Sequence, residues 1–306
     1  MPFPIRDLMN LRPAGSWPGE RGGGPGRRVV ELAGLFIPLE AQQSCHFQYN
    51  TARSLHAALL SRLRDSDPSL SRDLHDAPPN APSVERAWTV SGLLGPLDRV
   101  GAGSIAPADQ LYWVRVTALS SGVVADLQRA LAPPQTGDLS LELEGVKFRI
   151  LTGGVCWTAC ATFGSLAQAA WPVRRLDMVG LSPTGFRGQR ANHPVPDPAL
   201  CLEGYLRKWN AFSPHSLPPE PLLEYAREHV SVTRAFVRTE HLNFPGFRER
   251  GVTGWWRWQV SGPDPQACRT INLLANFSFF CGTGMKTAQG MGQTLRRFSS
   301  PRGIAS

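Results

Sequence analysis

The sequence predicts an α+β protein in which the element order β-α-β-β-α-β occurs twice in succession. Apolar residues alternate with helical and then with strand-like spacing along the chain. Three Asp-Pro pairs, at Asp67, Asp197 and Asp264, each place a capping carboxylate before a proline at the first helical position. Because β-α-β-β-α-β is the split arrangement of a ferredoxin-like fold, we expect two such domains in tandem.

Each half of the chain supplies one set of elements. Leu55, Leu59 and Leu63 form one apolar stripe of the first helix. For the first half we expect a strand at 29–39, a helix at 50–64, a short helix from 67 to about 75, strands at 86–94 and 110–117, a helix at 121–131 and a strand pair or one bent strand at 139–151. For the second half we expect a strand at 175–181, helices from 198 and at 219–228, strands at 230–237 and 252–260, a helix from 264 to about 280 and a last strand near 291–297.

The domain boundaries follow from composition. Residues 1–28 hold six glycines and five prolines and are expected to form a flexible tail. The predicted units are then an N-terminal domain at 29–152, a connector at 153–173, a C-terminal domain at 174–298 with a glycine-rich loop, and a short tail at 299–306.

Composition excludes several classes of protein. The chain has 306 residues, 42% of them hydrophobic, and no apolar run of the ~18–20 residues that a membrane span needs. The first residues lack the apolar core of a signal peptide, so we expect a cytoplasmic protein without a membrane partner. Six cysteines occur without a Cys-x-x-Cys pair, which argues against a disulfide scaffold and a cysteine zinc site. No metal or cofactor is predicted.

Charge gives the first indication of function. The chain has 32 basic and 24 acidic residues, a net charge of +8, and only Lys147, Lys208 and Lys286 are lysines. Arginine grips phosphate with a planar fork, so the composition is that of a nucleic-acid-binding protein. A GC-rich genome would also favour arginine, and the charge by itself does not decide between the two.

The most distinctive local feature is a glycine-rich segment near the C-terminus. Cys281–Gly292 contains glycines 282, 284, 290 and 292 together with Lys286. A P-loop requires Gly directly before the lysine, where Met285 stands. The dinucleotide fingerprint requires a third glycine at Thr287 and a preceding strand. Neither motif fits; the spacing suits an extended polyanion lying across the turn, and the alternative is a structural hairpin.

These residues resemble a known family. The segments 182–187 and 194–198, Trp209-Asn210 and the glycine-rich loop are similar to those of the CRISPR-associated endoribonuclease that processes precursor CRISPR RNA, a member of the RAMP superfamily. Weaker N-terminal similarities fall in the same order: Tyr49-Asn50, 55–58, Asp67-Pro68 and Leu74-His75. The resemblance covers roughly residues 29–298 and implies tandem ferredoxin-like domains.

The resemblance also implies a reaction. A ribose 2′-OH attacks the adjacent phosphate without a metal ion, leaving a 2′,3′-cyclic phosphate and a 5′-OH, and DNA lacks that nucleophile. The family's catalytic histidine ends the short helix after the Asp-Pro pair, which places it at His75; His56 is the second choice. Leu60 stands where many members have a tyrosine, and Arg86 is the nearest cation to their lysine, so a second proton-transfer group is not identified.

The expected ligand is precursor CRISPR RNA. RNA contacts are predicted at Gly282, Gly284, Lys286, Thr287, Gly290, Gly292, Arg187 and Arg190. Subunits of a CRISPR effector complex and a homodimer are further candidate partners. A non-catalytic RNA-binding RAMP subunit would share the fold and the loop without needing His75, and a nucleotide-binding enzyme is disfavoured by the motif mismatches.

Overall fold

The computed structural model describes residues 29–66, 85–101, 103–132, 138–151, 155–187 and 196–297. It confirms the predicted α+β class. Two antiparallel sheets each carry their helices on one face, and each sheet forms its own hydrophobic core with those helices.

The N-terminal sheet has the strand order expected for a ferredoxin-like unit. The elements of this half are β1 (Leu32–Ala41), β2 (Cys45–Phe47), α1 (Thr51–Ser66), β3 (Trp88–Val90), β4 (Asp98–Val100), β5 (Gly103–Ala106), β6 (Leu111–Ala118), α2 (Ser121–Ala130), β7 (Ser140–Leu143), β8 (Val146–Ile150) and β9 (Cys156–Ala161). The strand order of the sheet is β3-β6-β1-β8-β7. Strand β8 pairs with the C-terminal end of β1, and β9 pairs with its N-terminal part. A small separate sheet, β2-β5-β4, was not expected from the sequence.

The elements of the C-terminal half are α3 (Phe163–Gln168), β10 (Arg175–Thr184), α4 (Pro198–Phe212), α5 (Pro219–His229), β11 (Val230–Phe244), β12 (Phe247–Val260), α6 (Pro265–Cys281), a 3-10 turn (Thr287–Gln289) and β13 (Thr294–Arg297). The C-terminal sheet has the strand order β11-β12-β10-β13, which is the same ferredoxin-like arrangement without additional strands. Its core includes Trp256 and Trp258, which are fully buried.

Two of the predicted helix caps and the predicted apolar stripe are present in the structure. Asp197 accepts a hydrogen bond from the Leu200 amide and starts α4, and Asp264 accepts one from the Gln266 amide and starts α6. The apolar stripe of α1 is buried in the N-terminal core. Asp67 and the short helix predicted after it lie outside the described residues, as do the predicted tails.

Three predicted boundaries differ from the structure. The segment 153–173, predicted as a connector, holds β9, which extends the N-terminal sheet, and α3, which packs in the C-terminal core. The strand predicted at 86–94 is only the three residues of β3. Strands β11 and β12 extend beyond the predictions and form one long hairpin. No helix among the described residues is long and apolar enough to cross a membrane.

A buried polar network joins the two halves. Arg115 of β6 donates hydrogen bonds to the carbonyl of Phe279, at 2.5 Å, and to the side chain of Gln293. Thr117 donates to the carbonyl of Phe280 at 2.5 Å. Burial lowers the pKa of Arg115 to about 9. The cation sits at the C-terminal end of α6, where the helix dipole stabilises it, so the two halves meet at a fixed polar seam.

Candidate nucleic-acid interface

A cleft of about 590 Å³ opens where the two halves meet. The N-terminal half contributes the chain just before β3, and the C-terminal half contributes the end of β10, helix α4 and the glycine-rich loop. The lining residues are Glu85, Arg86, Phe186, Arg187, Leu200, Glu203, Gly204, Arg207, Lys208, Gly284, Met285, Lys286, Thr287, Ala288 and Gln289.

The cleft is basic. Five of its lining side chains are arginine or lysine and two are glutamate. Arg207 and Glu85 form an ion pair across the two halves, which reduces the positive charge of the cleft only in part. A concave site with an excess of cations concentrates polyanions and binds phosphate. The cleft therefore suits an RNA backbone.

Two of the catalytic candidates meet at one edge of the cleft. The Arg86 guanidinium lies with Nη1 3.0 Å from Nε2 of His56. Because a guanidinium only donates hydrogen bonds, Nε2 of His56 is the acceptor in this pair. The His56 ring also packs on Trp88, with ring centroids 5.0 Å apart. Arg86 itself is exposed and lines the cleft.

Lys208 is a cleft residue that the sequence analysis did not single out. Its ammonium donates hydrogen bonds to the carbonyl of Cys281 and, at 2.8 Å, to the hydroxyl of Thr287. Burial lowers the pKa of Lys208 from its ordinary value. The side chain thus ties the end of α6 to the glycine-rich loop. The rarity of lysine could have drawn attention to Lys208, because the chain has only three lysines.

Lys286 connects the glycine-rich loop to the tip of the β11–β12 hairpin. Its ammonium lies 3.6 Å from a carboxylate oxygen of Glu249. It also lies 4.7 Å from the ring centre of Phe247 and 5.3 Å from that of Phe244, and these two rings stack on each other. Contacts of this cation–π kind contribute ~0.5–2 kcal/mol each. Lys286 therefore holds the hairpin tip against the loop while lining the cleft.

The glycines of the loop are required by its own packing. Glycines 282, 284, 290 and 292 all have positive φ. The amides of Gly282, Gly290 and Gly292 donate to the carbonyls of Ser278, Val90 and Pro183. These three amides have protein partners in the structure, and the RNA contacts at these glycines stay a prediction. Of the loop residues predicted to contact RNA, Gly284, Lys286 and Thr287 line the cleft.

A matched pair of substitutions measures the packing requirement. A Cβ at Gly284 would lie 2.2 Å from the carbonyl oxygen of Gly185, at φ 76°, whereas a Cβ at Gly145 would meet nothing within 4 Å, at φ 79°. Both alanine variants carry the same strain of a left-handed residue. We expect Gly284→Ala to lose about 1–3 kcal/mol more unfolding free energy than Gly145→Ala, measured by urea denaturation. Equal losses would show that the contact with Gly185 relaxes without penalty.

The structure groups the predicted site residues unevenly. It brings Arg86, Arg187, Gly284, Lys286 and Thr287 to one cleft, with His56 behind Arg86. Gly282, Gly290 and Gly292 support the loop from within the protein. His75 and Arg190 lie outside the described residues. His75 belongs to the segment between Ser66, the last residue of α1, and Glu85, which lines the cleft.

The tandem ferredoxin-like architecture is the fold of several solved structures, among them Cas6 proteins and a RAMP protein that binds RNA. Residues 179–294 match the family model for the CRISPR-associated endoribonuclease Cas6. The match runs from β10 through the glycine-rich loop to the start of β13. The resemblance read from the sequence is thereby confirmed.

Individual relatives agree with this assignment. The curated Cas6 endoribonuclease of Streptococcus thermophilus is 26% identical over 112 residues, which are 36% of this chain and 46% of that protein. The matched segment thus spans about half of that relative's length. A product complex of a Thermus thermophilus Cas6 (TTHB231) superposes with a TM-score of 0.70 at 23% identity, covering 87% of this chain and all of that one. A Cas6-related protein of Pyrococcus furiosus gives 0.60 at 14% identity, covering 88% and 100%.

Proposed function

We propose that this protein is a metal-independent endoribonuclease that cleaves CRISPR repeat RNA in precursor transcripts and so produces mature guide RNAs. The 2′-OH beside the scissile phosphate attacks it, and the products are a 2′,3′-cyclic phosphate and a 5′-OH. The observation that carries the proposal is the basic cleft, whose glycine-rich wall lies in the segment that matches the Cas6 family.

The cations of the cleft have a defined task in this reaction. Negative charge develops on the phosphate as the 2′-oxygen bonds to phosphorus, and fixed positive groups stabilise it. Arg86 and Arg187 line the cleft from different halves of the protein and can hold phosphate oxygens there. Neither is suited to donate a proton, because a guanidinium stays charged at neutral pH.

Proton transfer is assigned to His75, with His56 as the second choice. A histidine near neutral pKa can remove the 2′-OH proton or protonate the leaving 5′-oxygen. Glu85 and Arg86, the first described residues after the segment that carries His75, line the cleft. Nε2 of His56 could accept a proton from the RNA only after its hydrogen bond with Arg86 is broken. This competition favours His75 as the catalytic group.

The test uses labelled repeat RNA from the same genome incubated with purified protein in excess EDTA. We expect a single internal cut, with one product that resists phosphatase until acid opens its cyclic phosphate. Cleavage that disappears in EDTA and returns with a divalent metal would refute the metal-free reaction. Tight binding without cleavage under both conditions would favour the non-catalytic RAMP subunit, for which contacts with effector-complex subunits or with a second copy would then be sought.

A further inference from the structure

The C-terminal sheet has a second face that none of the described helices covers. Trp256 and Trp258 of β12 are buried against the helices. Since successive strand residues point to opposite faces, Trp255 and Arg257 belong to the other face. The pairing register adds neighbours to it. The face includes Arg175 and Asp177 on β10, Arg234, Phe236, Arg238 and Glu240 on β11, Thr253, Trp255 and Arg257 on β12, and Arg297 on β13. Val179 of β10 and Leu295 of β13 share this face and are buried.

Two aromatic rings lie together on this face. Phe236 is 67% exposed, although it is a large apolar residue in a strand. It pairs directly with Trp255, and their ring centroids are 5.2 Å apart with planes inclined by 30°. Phe236 is exposed and Trp255 is half-buried against the core. Aromatic side chains on a sheet surface are the groups with which ferredoxin-like RNA-binding domains stack bases. Stacking is tolerant of sequence because every base has an aromatic face.

Arginines surround the two rings. Arg175, Arg234, Arg238 and Arg297 are exposed. Arg257 is fixed by two hydrogen bonds to Asp177, at 2.6 and 2.8 Å, and its guanidinium lies 5.9 Å from the Trp255 ring centre. The acidic residues of the face, Asp177 and Glu240, are each paired with an arginine. Five arginines against two acids leave a positive surface that matches a phosphate backbone.

We propose that this face, which we call the sheet platform, binds a single-stranded segment of RNA by stacking bases on Phe236 and Trp255. It is separate from the cleft. The two are linked by β12, whose first residue, Phe247, contacts Lys286 at the cleft. Trp255 lies eight residues further along, about 26 Å at ~3.3 Å per residue. The proposal rests on the proposed function in that it assigns the platform to the unpaired RNA flanking the segment held in the cleft.

The test compares two RNAs that differ only in single-stranded flanks. Dissociation constants are measured by fluorescence anisotropy for an uncleavable repeat with flanks and for the same repeat without them. We expect Phe236→Ala and Trp255→Ala to weaken binding of the flanked RNA by roughly 5- to 150-fold each, the range for loss of one base–aromatic stack. The shorter RNA should bind each variant as it binds the unchanged protein. Circular dichroism and the melting temperature verify folding.

Two further variants sharpen the result. Arg234→Ala should make the slope of log affinity against log salt shallower by about 0.7 for the flanked RNA, the value for one phosphate contact on a single strand. Trp171→Ala removes a tryptophan that is 75% exposed but lies outside the platform, and it should change neither affinity nor slope. Because Phe236 is largely exposed, its variant tests the platform even if Trp255→Ala does not fold.

The outcomes separate this proposal from the proposed function. If Phe236→Ala and Arg234→Ala bind flanked RNA with unchanged affinity and salt slope, the platform does not bind RNA, whether or not the protein cleaves. If both variants weaken the two RNAs equally, the platform does not hold the flanks, and the proposal is overturned. Selective weakening of the flanked RNA supports the platform even for a protein that never cuts.

Discussion

Replacement of His75 by alanine is expected to lower the single-turnover rate of repeat cleavage by ~10²–10⁴, the range for loss of one positioned acid–base group. RNA affinity should change little. The cations proposed to bind phosphate, among them Arg187 and Lys286 of the cleft, stay in place, so binding and cleavage should separate. Rates are measured with enzyme in excess over labelled repeat RNA, and dissociation constants with an uncleavable repeat.

His46→Ala is the matched control for this variant. His46 is an exposed histidine of β2 in the same half of the protein, and its removal should leave the rate unchanged. A His75→Ala variant that cuts at nearly the normal rate would end the assignment to His75. The same assay on His56→Ala would then decide whether the histidine paired with Arg86 is the catalytic group.

A repeat RNA with 2′-deoxyribose at the single scissile nucleotide should bind with normal affinity and remain uncut. The reason is that the 2′-OH is the nucleophile of the proposed reaction, so its removal leaves no group to attack the phosphate. One hydroxyl contributes little to an interface that depends mainly on phosphate contacts. Binding is measured by anisotropy and cleavage by denaturing gel over times far beyond those of the all-ribose substrate.

The position of the deoxy sugar is the internal control. The same substitution one nucleotide away on either side should leave cleavage intact, since those hydroxyls do not attack. Cleavage of the scissile deoxy substrate at the normal site would mean that water or another nucleophile attacks the phosphate. The proposed cleavage would then proceed by a different mechanism.

Much of the architecture was predictable because its signals are local. The Asp-Pro caps of α4 and α6 and the leucine stripe of α1 depend on neighbours within a few residues. The length of the β11–β12 hairpin was not predictable in this way. Most of β11 is exposed on both sides of the sheet, so the alternation of apolar and polar residues that predicts a strand is weak there.

The candidate site, too, was predictable only in part from the sequence. The unusual spacing of glycines indicated a special loop, but not what the glycines do. Gly290 has a positive φ and lies so close to Ala52 that an added Cβ would be 2.5 Å from the Cβ of Ala52. That contact joins positions far apart in the chain, and no local pattern records it. The same holds for the ammonium of Lys208 at Thr287 and for the guanidinium of Arg86 at His56.

The sequence by itself determined the order of the helices and strands that the two ferredoxin-like units share, the tandem arrangement and the family resemblance, since these depend on short-range spacing and on motifs that stay contiguous. Only the tertiary structure decided which cations share a cleft, which loop amides are already bonded and which sheet face stays open. Those properties arise when the two halves pack together. Packing fixes distances between residues that the chain leaves a hundred or more positions apart, such as Arg115 and Phe279.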